Sequence, residues 1–252
     1  MRAPARQLRI RELLDAQGFV DLANLCEELD SSESTVRRDL IALQEEGVLK
    51  RVHGGAMPVP SPPPRGEDFA GHARRMVSEK RQIAVATAGL IEDGETVILD
   101  AGSTVAAVAR ELLDRSLHVV TNSLPIADIL GESRRVDVTL TGGQLDPQFG
   151  VVLGPLCEQM LGSLAVDVAV MGIGGVTDRG LSNSNPLVVG SERKMIEVAR
   201  RVIIVSDHTK FGRAALIPLA PLDVVDVVVS DHGLDPEHQD WLRSHGIDVR
   251  LA

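Results

Sequence analysis

The chain has 252 residues, 44% hydrophobic and 2% aromatic, and its 26 basic against 36 acidic side chains give a net charge of −10. That length supports one large or two ordinary domains with real cores. The acidic total excludes indiscriminate nucleic-acid binding, so any DNA-binding role must rest on local charge. No apolar run reaches membrane-spanning length, and the opening MRAPARQLRI lacks the apolar core of a signal peptide. The expected location is therefore the cytoplasm, with no membrane partner. Cys26 and Cys157 lie far apart, which suits two reduced structural thiols better than a disulfide or a metal site.

A first helix is expected over 6–17, with Ile10, Leu13, Leu14 and Gln17 along one side and Gly18 closing it. Asp21 then caps a second helix whose Leu22, Leu25, Cys26 and Leu29 face inward. A third helix is expected to begin at Ser32, whose hydroxyl can accept a bond from a backbone N–H of the first turn. Val36, Leu40 and Leu43 form its buried stripe. Ser34, Arg38 and Ile41 fall opposite, with Thr35 and Arg37 flanking, a face of hydroxyls and guanidiniums with no acid before Asp39. Such a face suits a helix lying in a major groove, where arginine forks onto guanine and hydroxyls reach bases or phosphates. Gly47 stops the helix, 48–52 reads as a short strand carrying Lys50 and Arg51, and His53, Gly54 and Gly55 turn the chain. The plan is a winged helix-turn-helix. The first 56 residues hold 8 basic and 10 acidic side chains, with the basic ones clustered around residues 2–11, 37–38 and 50–51.

These residues carry a resemblance. Arg6, Ile10 and Leu14 at four-residue spacing, then Ser32, then Thr35-Val36-Arg37-Arg38-Asp39-Leu40, and finally Arg51-Val52-His53-Gly54-Gly55-Ala56 resemble the N-terminal signature of the DeoR family of bacterial transcriptional repressors. The resemblance implies that Ser34, Thr35, Arg37 and Arg38 meet the operator, with Arg6, Lys50 and Arg51 on the flanking backbone. Ser32 and His53 complete the expected DNA-binding set. The implied partner is double-stranded operator DNA, and paired half-sites imply a homodimer or homotetramer.

The stretch 57–66, MPVPSPPPRG, holds five prolines and nothing that packs, so it reads as a semi-rigid linker. The expected division is a DNA-binding domain over 1–56, a connecting segment over 57–77 and an effector domain over 78–252. In the last, strands are expected at 96–100, 118–122, 136–141, 166–172, 202–206, 224–230 and 248–251. Helices fit at 80–91, 104–113, 125–130, 155–161, 192–200 and 236–244. Continuous apolar strands alternating with helices predict an open, mostly parallel α/β sheet. Ligands of such sheets sit at the carboxyl ends of the strands. Those ends carry Asp100-Ala101-Gly102-Ser103-Thr104, Thr121-Asn122-Ser123, Thr141-Gly142-Gly143, Gly172-Ile173-Gly174-Gly175 and Asp207-His208-Thr209-Lys210. Small and hydroxyl residues beside a helix N-terminus make a fitting anion pocket.

Lys80 and these strand-end motifs are similar to the effector domain of the same repressors, a domain that looks like sugar-phosphate isomerases of the ribose-5-phosphate isomerase type. The resemblance implies a phosphorylated sugar or related small molecule. Gly102, Ser103 and Thr104 would hold its phosphate, Asp100 and Asn122 its hydroxyls, and Lys80, Asp207 and Lys210 would sense charge or a carbonyl. Thr121, Gly142, Gly143 and Gly174 line the same expected pocket. One departure stands out: many relatives carry a glutamate in the loop before the following helix where this chain has Gly190, with Glu192 nearby.

Other features are plainer. GIGG at 172–175 is not a spaced dinucleotide fingerprint, His208, His232, His238 and His245 do not fall in a metal-ligand pattern, and no cofactor or metal is expected. Arg134-Arg135 and Arg200-Arg201 read as solvated helix ends. The expectation is a non-enzymatic repressor of a carbohydrate-metabolism operon, released from DNA by a phosphorylated sugar. The alternatives are an active sugar-phosphate isomerase with an accessory N-terminal domain, and a constitutive DNA-binding protein with a degenerate ligand domain.

Overall fold

The computed structural model describes residues 3–17, 19–45, 49–52, 54–58 and 69–252, and the chain divides into two compact units, Met1–Gly66 and Glu67–Ala252. The first unit runs α1 (Ala3–Gln17), β1 (Val20–Asp21), α2 (Leu22–Glu28), α3 (Glu33–Glu45), β2 (Leu49–Val52) and β3 (Gly55–Pro58). The strands pair antiparallel in the order β1-β3-β2. Ile10, Leu14, Leu25, Leu29, Val36, Leu40, Leu43 and Leu49 close one core. Asp21 does cap α2, its Oδ1 accepting the N–H of Ala23 at 2.8 Å and of Asn24 at 3.3 Å. The expected stops at Gly18 and Gly47 and the turn residue His53 lie outside the described residues.

Two expectations about α3 need correcting. Asp39 is buried rather than outward, and the Arg6 guanidinium forks onto it, Nε to Oδ2 at 2.7 Å and Nη2 to Oδ1 at 3.3 Å. Arg6, expected on the DNA backbone, instead ties α1 to the middle of α3. Its side chain is 12% exposed and that of Asp39 5%.

The second unit opens with α4 (Phe69–Ala73) and α5 (Val77–Ala88), then β4 (Thr96–Leu99), α6 (Ser103–Glu111), β5 (Leu117–Thr121), α7 (Leu124–Gly131) and β6 (Val136–Leu140). A hairpin follows, β7 (Gln144–Asp146) and β8 (Val151–Leu153), then α8 (Pro155–Gly162), β9 (Val166–Met171), β10 (Gly175–Thr177) and β11 (Gly180–Asn183). The chain ends with α9 (Pro186–Val198), β12 (Ala199–Val205), β13 (Ile217–Ala220), β14 (Val227–Ser230), α10 (Pro236–Ser244) and β15 (Asp248–Leu251). Seven strands form one parallel sheet in the order β15-β14-β12-β9-β4-β5-β6. Alternate residues serve opposite faces, as a period of two requires. Val97, Leu99, Val119, Val168, Val170, Ile203 and Val229 pack with residues of α5, α6 and α7. Ile98, Val120, Ala169, Met171, Val202, Ile204 and Val228 pack with residues of α8, α9 and α10. Successive crossovers move outward from β4 in one direction and then from β9 in the other, so the switch point lies between these two strands.

Differences from the expected elements have local causes. α9 begins six residues before 192, because Asn185 Oδ1 accepts the Leu187 N–H at 3.0 Å and Pro186 sits in the first turn. Gly190 therefore lies within α9, not in a loop, and Glu192 in the middle of that helix instead of at its start. Arg200 and Arg201 are strand residues of β12, not helix ends; Arg201 Nη2 donates to Leu90 O at 2.7 Å and reaches Glu95 Oε1 at 3.3 Å. The hairpin β7–β8 and the small antiparallel sheet β10-β11-β13 were not anticipated. No helix among the described residues is long and apolar enough to cross a membrane.

Removing one partner of a buried ion pair strands the other charge. Asp39→Ala is expected to cost about 3 kcal/mol, read as a lowered denaturation midpoint of the N-terminal unit by far-ultraviolet circular dichroism of the full chain. A loss below about 1 kcal/mol would place the pair with ordinary surface bridges.

Candidate functional site

The outward face of α3 holds Ser34, Arg37, Arg38 and Ile41 exposed, with Thr35 half-buried. Ser32 precedes the helix, and its carbonyl accepts the N–H of Thr35 at 2.9 Å and of Val36 at 3.0 Å. Its hydroxyl, however, lies 2.9 Å from Thr35 Oγ1 and 3.1 Å from Ser34 Oγ, so the three hydroxyls form a cluster and not the expected side-chain cap. Glu33 corrects the expectation of an acid-free face. It stands one turn before Arg37, whose Nε and Nη2 reach its Oε1 at 2.9 and 2.5 Å. Arg38 is exposed and makes no hydrogen bond or ion pair among the described residues, which leaves all five of its N–H donors open. Lys50 and Arg51 are exposed on β2, opposite Met57 and Ala56 of β3. The Arg51 backbone N–H donates to Gln44 Oε1 at 3.1 Å, so the wing is fastened to the end of α3.

In the second unit, parallel pairing brings five neighbouring strand ends to one edge: β5, β4, β9, β12 and β14. The register pairs Leu99 with Thr121, so Asp100 and Asn122 follow side by side. Gly102 takes φ +124°, a conformation that favours glycine, and an added side chain there would meet nothing within 4 Å. It leads directly into α6, whose first turn carries Ser103 and Thr104 and receives no side-chain cap. An open approach to uncapped N–H groups is what an anion needs. Thr121 is spent locally, its Oγ1 accepting the Ser123 N–H at 3.1 Å. Gly143 is spent on packing, since a side chain there would sit 2.6 Å from Leu153 O. Gly142 stands beside it with open space.

Two carboxyls occupy the switch point. Asp100 is 3% exposed, and burial pushes it up to about 7, against the pull of the Ala101 and Gly172 backbone N–H groups. Glu192 is 1% exposed; burial first, then the nearby charge of Asp100, holds it well above the usual carboxylate range, while the Asn183 amide pulls the other way. Asn183 Nδ2 donates to Glu192 Oε1 at 2.7 Å, and Asn183 itself lies against Gly174, so β9 and β11 place this acid. Glu192 Oε2 and Asn122 Oδ1 are buried acceptors with no hydrogen bond among the described residues. Above Gly190 the space is already occupied: a side chain there would start 2.6 Å from Glu158 Oε1 of α8.

Further along the edge, Asp207 caps a short helical turn, accepting from the Thr209 N–H at 3.1 Å and from the Thr209 hydroxyl. Lys210 is half-buried beyond it. Lys80 is not poised at this edge with a spare charge. Its buried ammonium donates to His72 O at 2.5 Å and Arg75 O at 2.8 Å, fastening α4 and the turn after it to α5. One pairing escaped the sequence reading. His208 Nδ1 lies 2.7 Å from Asp231 Oδ2, and the His208 N–H donates to Asp231 Oδ1 at 2.7 Å. Burial alone would raise Asp231, yet the His208 N–H and ring and the Gly233 N–H hold it below its ordinary value. The parallel pairing of Val205 with Val229 was the available signal, since it aligns Asp207-His208 with Asp231.

Residues 75–232 match the DeoR C terminal sensor domain, and residues 6–61 match the DeoR-like helix-turn-helix domain. The chain belongs to the DeoR family. Among its relatives, the HTH-type transcriptional repressor GlcR of Bacillus subtilis is 31% identical over 98% of this chain and 95% of that protein. The glycerol-3-phosphate regulon repressor of Escherichia coli is 33% identical over the full length of both. Ribose 5-phosphate isomerase A of Methanocaldococcus jannaschii overlaps 52% of this chain and 53% of its own, at 18% identity and a TM-score of 0.39.

A carboxyl whose folded-state value lies above its unfolded one stabilises the fold while protonated, and that contribution is lost as pH rises through the folded value. Asp100 therefore weakens the sensor unit between about pH 4 and pH 7. Asp100→Asn should flatten this loss, so that the melting-temperature difference between variant and parent moves in the variant's favour across that range. A difference independent of pH would remove Asp100 from the account.

Proposed function

We propose that this DeoR-family regulator represses a carbohydrate-metabolism operon and leaves its operator when a phosphorylated sugar lodges at the sheet edge. Residues 1–56 act as the DNA-binding module, 57–77 as the connection and 78–252 as the sensor. The single observation that supports the reading best is the Gly102–Thr104 turn, an open, uncapped helix N-terminus beside buried acceptors with no partner among the described residues. The relatives support it as well, one being named for the glycerol-3-phosphate regulon. On the DNA side, Arg38 reads a base edge, Ser34, Thr35 and Arg37 sit along the groove, and Lys50 and Arg51 hold the backbone. Arg37 must give up Glu33 to take part, so Arg38 carries more of the specificity. Paired half-sites call for a homodimer or homotetramer. Near-complete release requires about 5.5 kcal/mol of differential affinity between the two DNA-binding states.

One observation favours a second reading. A buried carboxyl held at about 7 is suited to proton transfer, which is what an isomerase with an accessory N-terminal domain would need. Turnover of pentose or hexose phosphates by the purified protein would decide for that enzyme; operator release without turnover decides for the regulator.

For the regulator, Arg38→Ala should cost about 1–3 kcal/mol on the operator and much less on random DNA, measured by fluorescence anisotropy. An equal loss on both would reassign Arg38 to phosphate contact. Lys210→Ala should leave operator binding intact and abolish release by the sugar phosphate. Retained release would exclude Lys210 from the sensing site.

A further inference from the structure

The switch point between β4 and β9 brings two buried carboxyls together, Asp100 and Glu192, and no lysine or arginine among the described residues pairs with either. Lys80 and Arg201, the basic side chains fastened to neighbouring elements, are committed to carbonyls of α4, the turn after it and the turn after α5. The atoms that lack partners here among the described residues are side-chain oxygens. Glu192 Oε2 has none, Asn122 Oδ1 on the adjoining strand end has none, and Asp100 accepts only from the Ala101 and Gly172 backbone. Leaving a buried acceptor unsatisfied costs about 1–3 kcal/mol, so a ligand at this strand edge is selected for its donors. A second phosphate or a carboxylate would bring further negative charge to a pair that burial already keeps from ionising fully. A neutral hydroxyl could satisfy one acceptor and leave the pair no easier to ionise. An ammonium carries three donors and the positive charge that lets the pair release a proton to solvent and accept from it.

We propose that Glu192, with Asp100 beside it, receives a cationic amine of the effector, so that the sensor is selective for an amino-sugar phosphate over its neutral counterpart. The inference rests on the effector reading above and names the chemistry of that same site. The phosphate occupies the Gly102–Thr104 turn, and the amine lies toward α9, donating to Glu192 Oε2. Asn183 acts as a positioning residue: its amide holds Glu192 Oε1, and so aims Oε2 away from β11. The acid belongs to this chain's own sequence at a position that follows the departure at Gly190, and its role is to read the ligand, not to move a proton.

Calorimetric titration of the full-length protein with two matched pairs tests this: glucosamine 6-phosphate against glucose 6-phosphate, and galactosamine 6-phosphate against galactose 6-phosphate. In the pair whose ring stereochemistry the site accepts, the amine should bind at least about tenfold more tightly, the order expected for one charge-assisted hydrogen bond. N-acetylation of that amine should erase the advantage. Glu192→Gln keeps the shape and the bond to Asn183 while removing the charge, and it should bring the two members of the pair to within about twofold of each other. The inference is overturned if the neutral sugar phosphate binds as well as the amine, or if Glu192→Gln keeps the preference. The ranking on the unaltered protein decides alone should the variant not fold. Failure of all four compounds and of inorganic phosphate to bind overturns the effector reading and this inference together, whereas equal binding within both pairs overturns only the inference.

Discussion

A parallel sheet can bury both faces only if every connection crosses over it, and that requirement leaves all the strands ending at the same edge. Here it gathers Asp100, Asn122, Gly174, Asp207 and Asp231 from five neighbouring strands. The backbone at such an edge has left the ladder, so the chain there is free to turn and its polar groups need new partners. Some are satisfied locally, as Thr121 is by Ser123 and Asp207 by Thr209. Others, Asn122 Oδ1 and Glu192 Oε2, are held buried without one among the described residues. The apolar sheet provides the stability against which these unfavourable groups are maintained.

The smaller unit solves a different problem. Three short helices and a wing give little core, and an ion pair spanning α1 and α3 supplements it. Because Asp39 turns inward to meet Arg6, the acid beside Arg37 among the described residues is Glu33, and it is exposed and screened by solvent. Arg37 and Arg38 are adjacent in sequence yet differ in availability, one neutralised by a neighbour a turn away and one unengaged. Adjacent letters with the same chemistry thus have unequal roles.

Much of this was legible in the residues. Alternating apolar runs announced the parallel strands, and the Ser–Thr–Arg spacing announced the third helix. Strand-end glycines and hydroxyls located the edge. What was hidden involved partners distant in sequence. Arg6 looked like a phosphate contact because nothing local shows that Asp39, 33 positions on, turns inward to meet it. Lys80 looked like a sensor because the carbonyls of His72 and Arg75 have no signature in the sequence. The start of α9 was in plain view at Asn185-Pro186, but the polar run around it read as loop, and so Glu192 was taken for a loop neighbour instead of a buried group facing Asp100. The short strands β7, β8, β10 and β11 are too brief for periodicity to mark them.

Gly190 adds a last point. Where the family resemblance leads one to expect an acid, this chain has a glycine, and the Glu158 carboxyl of α8 reaches over it. Glu158 and Gly190 are therefore one compound position written in two places. The sequence around 190 read by itself suggests that the carboxyl is missing, although one stands at that place, delivered by a different helix. Substitutions at either residue have to be interpreted jointly, since a side chain restored on α9 must first evict the one that α8 supplies.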